Sequence, residues 1–218
     1  MLKRITVLVS GRGSNLAALV AASRAPGFAG GVTHVVSNRP AAAALRVARD
    51  HAIAASVVDH EAFATRETFD EALAQVVDAG LPDLVVLAGF MRVLTPAFVS
   101  RYAGRLLNVH PSLLPAYPGL HTHRRALADG VRVHGCTVHV VTPSVDVGPI
   151  VAQAAVPVHD DDDAVTLAGR VLEEEHRLLP AAVGWFCSGR IALHAGRVRV
   201  QDARFPAATL AVPAPDAA

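Results

Sequence analysis

The chain has 218 residues and a net charge of +1, with 18% charged residues; it has neither the basic excess that nucleic acid calls for nor an acidic tail for a basic partner. The length suits one sizeable α/β domain and argues against a second full one, and 52% hydrophobic residues supply its core. Cys136 and Cys187 are the only cysteines, and the apolar run before Gly11 is too short for a signal sequence or a bilayer span. A disulfide framework and a membrane are thereby excluded, and the reducing cytoplasm is the expected compartment.

Ile5–Val9 is a continuous apolar run rich in β-branched residues, which reads as a strand buried on both faces of a parallel sheet. A helix is predicted from Ser14 to about Ser23, stopped by Pro26-Gly27. Val32–Ser37 and Ala54–Val58 read as strands, Ala41–Asp50 and Thr65–Asp78 as helices, with Thr65 as a cap and Gly80 just beyond the end. Asp83–Ala88 is the fourth strand. Thr95-Pro96 opens a short helix with proline in its first position, and Leu106–Val109 is the fifth strand. This alternation predicts an α/β fold with a doubly wound, mostly parallel, Rossmann-like sheet. Ligands of such sheets bind beyond the carboxyl ends of the strands.

After Ala128 the pattern changes. His134–Val141 and Ile150–Val158 read as strands with no helix between them, paired antiparallel at one edge. Asp163 to about Ser188 reads as a long C-terminal helix with a bend expected at Pro180, and Arg190–Leu193 with Arg197–Val200 as a small hairpin. One domain is expected over residues 1–205, followed by an extended Ala/Pro-rich tail over 206–218.

Several stretches carry chemistry. Ser10-Gly11-Arg12-Gly13-Ser14-Asn15 is a glycine turn between a buried strand and a helix, where free backbone N–H groups can receive a phosphate. An ordinary tight βα turn is the other reading. Leu16 stands where a dinucleotide fingerprint needs its third glycine, and no Gly-Lys-Ser/Thr follows, so a single phosphate suits the turn best. Asn108 and His110 lie two apart in an extended segment and project to one side, so an amide and an imidazole can converge on an oxyanion. Alone, either would pass for a strand-end cap or a half-buried ring. Pro111, Pro115 and Pro118 restrict the loop that follows, and Leu114-Pro115 is the bond to inspect first for a cis peptide.

Asp146 sits among turn residues between two strands. It is a solvated turn aspartate unless the loop folds over His110, where a carboxylate would favour the imidazolium. His121 and His123 form an H-x-H pair without a third metal ligand at convincing spacing. On the long helix Ala168, Val171, Leu172 and Leu179 form one apolar stripe, and Glu175 falls on it. An inward carboxylate needs a ligand or a partner such as an arginine.

Asn108-Val109-His110-Pro111-Ser112-Leu113-Leu114-Pro115, continued through Tyr117-Pro118-Gly119 and combined with Val145-Asp146-Val147-Gly148-Pro149 and the Gly11–Asn15 turn, resembles the phosphoribosylglycinamide formyltransferase family of the formyltransferase superfamily. The likeness runs to about Arg190. It implies direct transfer of the formyl group of 10-formyltetrahydrofolate, a cosubstrate, to the amine of glycinamide ribonucleotide. The transfer would pass through a tetrahedral intermediate in purine (IMP) biosynthesis, with no metal. Asn108, His110 and Asp146 would be the catalytic set. Gly13, Ser14 and Asn15 would hold the substrate phosphate, and Glu175 the glycinamide end. Folate would lie along Phe90, Met91, Arg92, Val93, Leu94, Val99 and the Val141–Asp146 loop, in contact with Asn108 and Asp146, with Arg66 facing its glutamate tail. The partners implied are small molecules, with no nucleic acid and no membrane; a homodimer is left open. Val147 departs from the small residue usual beside the acid.

Four rivals stand beside this reading. A methionyl-tRNA formyltransferase would add a C-terminal domain and a basic surface. A formyltetrahydrofolate hydrolase would add an N-terminal regulatory domain. A non-catalytic phosphate-binding module would bind through the glycine turn without turnover. A hydrolase built on Ser112 or Cys136 lacks a nucleophile-elbow context.

Overall fold

The apolar runs pair into one seven-stranded sheet whose strand order is β3-β2-β1-β4-β5-β6-β7. The computed structural model describes residues 1–204 together with Leu210 and Val212; otherwise the tail expected over 206–218 lies outside the described residues. The strands are β1 (Lys3–Val9), β2 (Gly30–Ser37), β3 (Ala54–Val57), β4 (Leu84–Leu87), β5 (Leu106–His110), β6 (Val133–Val140) and β7 (Ile150–Pro157). Helices α1 (Ser14–Ser23), α2 (Ala44–Asp50), α3 (Arg66–Ala79) and α4 (Pro96–Arg101) connect the first five. A short α5 (Thr122–Ala128) precedes β6, a 24-residue α6 (Ala164–Cys187) follows β7, and β8 (Ile191–His194) pairs with β9 (Arg197–Val200) as the expected hairpin.

Strands β1 to β5 run parallel, and β6 and β7 each pair antiparallel with the preceding strand. The chain winds outward from β1 through β2 and β3, then returns to β1's other side at β4. The carboxyl ends of β1 and β4 therefore form the switch point, and the Ser10 N–H donates to the Gly89 carbonyl there.

Two apolar layers explain the unbroken hydrophobic runs. Ile5, Val7 and Val9 of β1 and Leu107 and Val109 of β5 pack with α1, α2 and α6. Leu8, Val85, Leu87 and Leu106 face the opposite way, against Phe69, Leu73 and Val77 of α3 and Phe98, Val99 and Tyr102 of α4. Burial on both faces lets a parallel strand dispense with alternation. A third cluster joins β6 and β7 to α6 through Cys136, Val156, Leu167 and Val171.

Helix starts follow local chemistry. Thr65, Thr95 and Asp163 each accept a backbone N–H from the first turn of α3, α4 and α6, and Pro96 opens α4. Several details differ from the sequence reading. α2 begins at Ala44 rather than Ala41. Gly80 follows α3 with an ordinary φ of −74°, and the left-handed position passes to Leu81. The buried stripe of α6 contains Leu167 in place of Ala168, and Leu172 is half-buried. Pro180 lies inside α6 and does not end it, as the reading of one long helix expected. α5 was not predicted; it is only seven residues long and follows His121, its cap residue, whose φ of 58° is left-handed. The Leu114–Pro115 peptide is cis. Among the described residues no helix is long and apolar enough to cross a membrane.

Candidate active site

Strand β5 delivers the first two functional groups. Leu106 belongs to the layer facing α3 and α4, so Asn108 and His110, two and four residues on, project to that same side. The sheet covers their backbone, and the two side chains emerge where β5 ends. There they line a cleft of about 440 Å³, within the usual range for small-molecule sites.

The loop between β6 and β7 brings the acid. β6 lies antiparallel against β5, so the loop that leaves it returns over the mouth of the cleft. Asp146 adopts a left-handed φ of 55°, which Asp tolerates better than most residues. Its Oδ2 accepts the Gly119 N–H at 2.8 Å and lies 3.4 Å from Nδ1 of His110. Both side chains are largely buried. Nε2 of His110 is 2.9 Å from the Tyr117 carbonyl. Both ring nitrogens thus face acceptor oxygens, an arrangement that suits the imidazolium. In this conformation His110 leaves no free ring N–H for the cleft. Gly148 lets the loop close: a Cβ there would stand 1.7 Å from the Val140 carbonyl oxygen.

The remaining wall is apolar. Met91, Arg92, Val93, Leu94, Val99 and Val141 all line the cleft with Asn108, His110 and Asp146. The segment before α4 is anchored from behind, because the buried Asp70 accepts the Thr95 N–H at 2.5 Å. Arg92 places its guanidinium 6.0 Å from the centre of the Phe69 ring. Arg66 lies outside the cleft lining, exposed at the start of α3 beside Glu67 and one turn from Phe69. Val147 is exposed on the loop.

The glycine turn stands at the other side of the switch point. Gly13 caps α1 with φ 81°, and the N–H of Ala17 returns to its carbonyl. Ser14 and Asn15 occupy the first two helical positions. A Cβ on Gly13 would lie 2.7 Å from both Cα and Cβ of Ala44, so α2 packs directly on the turn. Gly13→Ala is therefore expected to destabilise the protein by at least the ~1–2 kcal/mol of a left-handed alanine, more once α2 shifts. Urea unfolding with an unchanged m-value reads this loss; an unchanged midpoint would contradict the close packing.

Glu175 is buried on α6, and its Oε2 accepts Nδ2 of Asn15 at 2.6 Å. An inward carboxylate thus finds an amide of the turn, 160 residues away in the chain. Burial pushes the carboxyl above the ordinary glutamate range, while the Asn15 hydrogen bond and the nearby Arg12 charge pull it back. The folded state then holds a proton that the unfolded chain has released, so this group's contribution to stability is present at low pH and declines as pH rises through the raised value. Glu175→Gln keeps an acceptor for Asn15 and removes that decline. The variant is expected to melt higher than wild type at pH 7.5 and equal to it at acid pH. A lower melting point at pH 7.5 would refute the assignment.

Burial favours the neutral form of two other rings near His110. Burial lowers the pKa of His123, helped by the charge of His110, and burial, then His123, lowers that of His134 to about 4. The two rings meet edge to face at 5.3 Å. His121 and His123 both line the cleft. Among the described residues no group of three His, Cys, Asp or Glu side chains could hold a metal ion.

One cleft residue escaped the sequence reading. His139 on β6 pairs in register with Asn108 across the β5–β6 ladder. Its Nε2 lies 3.2 Å from Nδ2 of Asn108 and 3.7 Å from Oδ1 of Asp146. The only signal available was its place on an apolar strand beside the acid's loop; the register that pairs it with Asn108 is a tertiary fact.

An amide, an imidazole and a carboxylate meet around one cleft at the carboxyl edge of a doubly wound sheet, groups of the kind that can stabilise an oxyanion. A formyl transferase family model matches residues 3–183, and the chain belongs to that family. It is similar to the phosphoribosylglycinamide formyltransferase of Escherichia coli (strain K12), 48% identical over 93% of this chain and 95% of that protein. The same enzyme from Haemophilus influenzae is 39% identical over 88% of this chain and 91% of that one. The crystal structure of glycinamide ribonucleotide transformylase 1 from Symbiobacterium toebii superposes with a TM-score of 0.90 at 46% identity, covering 92% of this chain and 95% of that chain.

Proposed function

We infer that this chain is the enzyme that transfers the formyl group of 10-formyltetrahydrofolate to the amine of glycinamide ribonucleotide, a step of purine biosynthesis. The observation that carries the reading is the meeting of Asn108, His110 and Asp146 at one cleft, the last brought from 36 residues beyond His110 by the β6–β7 loop. Folate lies along Phe90–Leu94, Val99 and Val141, with Arg92 and, outside the cleft, Arg66 turned toward its glutamate tail. The ribonucleotide places its phosphate on Gly13, Ser14 and Asn15 and its glycinamide end toward Glu175. The enzyme is one domain over residues 1–205. It works in the cytoplasm on diffusible small molecules, without nucleic acid, membrane or metal.

The chemistry follows from the charges. The unprotonated amine nitrogen attacks the formyl carbon, a C–N bond forms, and negative charge collects on the formyl oxygen. Asn108 donates a hydrogen bond to that oxygen, and the imidazolium of His110 stabilises it through its charge. Asp146 holds the imidazolium and helps carry the proton lost by the attacking nitrogen to the departing folate nitrogen, directly or through water. The second C–N bond then breaks, giving formylated ribonucleotide and tetrahydrofolate. No covalent enzyme intermediate forms.

The test is to mix the protein with both substrates and follow tetrahydrofolate and the formylated ribonucleotide. Tetrahydrofolate released without the ribonucleotide would instead mark a hydrolase, and binding without turnover a phosphate-binding module. In the same assay Glu175→Gln is expected to raise KM for the ribonucleotide roughly ten- to a hundred-fold, because hydrogen bonds to charged groups contribute about 1.5–3 kcal/mol. An unchanged KM would remove Glu175 from the substrate site.

A further inference from the structure

We propose that His139 is a positioning residue that orients the Asn108 amide, turning one of its N–H bonds toward the oxyanion. The inference rests on the formyl-transfer reading and adds to it a residue that touches no reacting atom.

The argument begins with the ring's first nitrogen. Nδ1 of His139 lies 3.1 Å from the Val140 carbonyl oxygen, which can only accept a hydrogen bond, so Nδ1 carries the proton. The ring is 2% exposed. Burial favours its neutral form, and so does the charge of His110 on β5; the Val140 carbonyl and Asp146 on the β6–β7 loop oppose them, and burial is the largest influence. A neutral ring protonated on Nδ1 has a bare lone pair on Nε2.

That lone pair faces the Asn108 amide at 3.2 Å. It can only accept, so it selects the amide orientation that presents Nδ2 to it. One N–H of Asn108 is taken by His139 and the second remains for the cleft. The opposite orientation would set Oδ1 against the lone pair, where the two repel, and the amide would then have no N–H on this side. His139 therefore decides whether β5 offers a donor of the right geometry to developing negative charge.

The neutral state also protects the acid. Nε2 of His139 and Nδ1 of His110 approach the two oxygens of Asp146 at 3.7 and 3.4 Å. A protonated His139 would compete with His110 for that carboxylate and could no longer accept from Asn108. Kept neutral, it leaves Asp146 to His110.

The test combines turnover with a direct view of the ring. His139→Leu removes the acceptor, and His139→Gln can return one through Oε1. His139→Leu is expected to lower kcat on the order of 10- to 100-fold, the scale of a misplaced catalytic group, with both KM values changed less than about threefold. His139→Gln is expected to recover most of the loss. In an Asn108→Ala background, measured by single turnover with enzyme in excess, His139→Leu is expected to add less than about threefold, because its effect passes through the amide. Imidazole ¹⁵N NMR is expected to show His139 protonated on Nδ1 alone from pH 7.5 to 9, with the signal assigned by its absence from His139→Gln. Independent, multiplying losses in the double variant, or a proton on Nε2, would overturn the proposal while leaving formyl transfer intact. A wild-type protein that transfers no formyl group would instead remove the functional reading. The NMR measurement needs no turnover and would still decide the tautomer.

Discussion

Asn108→Ala is expected to lower kcat roughly 100- to 1,000-fold, the usual consequence of losing one preorganised oxyanion donor. The side chain stands at the end of β5, half-buried, with its amide between His139 and the open cleft. Nothing in the apolar core depends on it, because Leu107 and Val109 on either side of it carry the packing of this strand. The loss is therefore kinetic. Thermal melting is expected to stay close to wild type, and KM for either substrate to change little, because the hydrogen bond forms fully only as charge develops. A change in KM alone would place Asn108 in ground-state binding. Turnover within about tenfold of wild type would remove it from the catalytic set.

Asp146→Asn is expected to cost about 100- to 10,000-fold in kcat, the range of a lost acid–base partner and its charge. The substitution is nearly isosteric, and Asn accepts the left-handed φ of 55° as readily as Asp does. The Gly119 N–H that Oδ2 now accepts can still be received by the amide oxygen. That same oxygen stays opposite Nδ1 of His110, and the amide nitrogen takes the place of Oδ1, opposite Nε2 of His139. The His110 ring then faces a neutral amide oxygen in place of a carboxylate oxygen, so the negative charge that would balance its protonated form is gone. The charge pairing is lost while the loop stays closed. Asp146→Ala removes the carboxylate and the loop anchor together and is expected to be no more active than Asp146→Asn. Comparing kcat for the two variants, with melting curves as a control for folding, separates charge from structure. If Asp146→Asn keeps more than a tenth of wild-type turnover, the acid's proposed role fails.

Much of the scaffold was legible because the signals were local. The strands ending at Val9 and near Leu87 are runs of β-branched and aliphatic residues with no alternation, a pattern that only burial on both faces explains. Thr65, Thr95-Pro96 and Asp163 mark helix starts through hydrogen bonds that each makes within its own first turn. The elements read less well were those without such a signal. α5 has seven residues and starts from a left-handed histidine, and the left-handed position after α3 falls on Leu81 although the neighbouring glycine was the natural expectation.

The candidate site divides in the same way. Asn108 and His110 could be paired from the two-residue period of a strand, and Glu175 stood out because a carboxylate on an apolar stripe demands a partner. The amino-acid sequence by itself determined the strand–helix alternation of a doubly wound sheet and the edge at which ligands collect, because periodicity and caps act over a few residues; Asn108, His110 and Asp146 were joined into one set only through their likeness to the formyltransferases. The tertiary structure alone decided that Glu175 meets Asn15, that Arg66 stays outside the cleft and that His139 faces Asn108. Those contacts join residues 31 to 160 positions apart, or fail to, according to strand register and helix packing. Register is set by the summed burial of whole strands and not by the residues that later do chemistry.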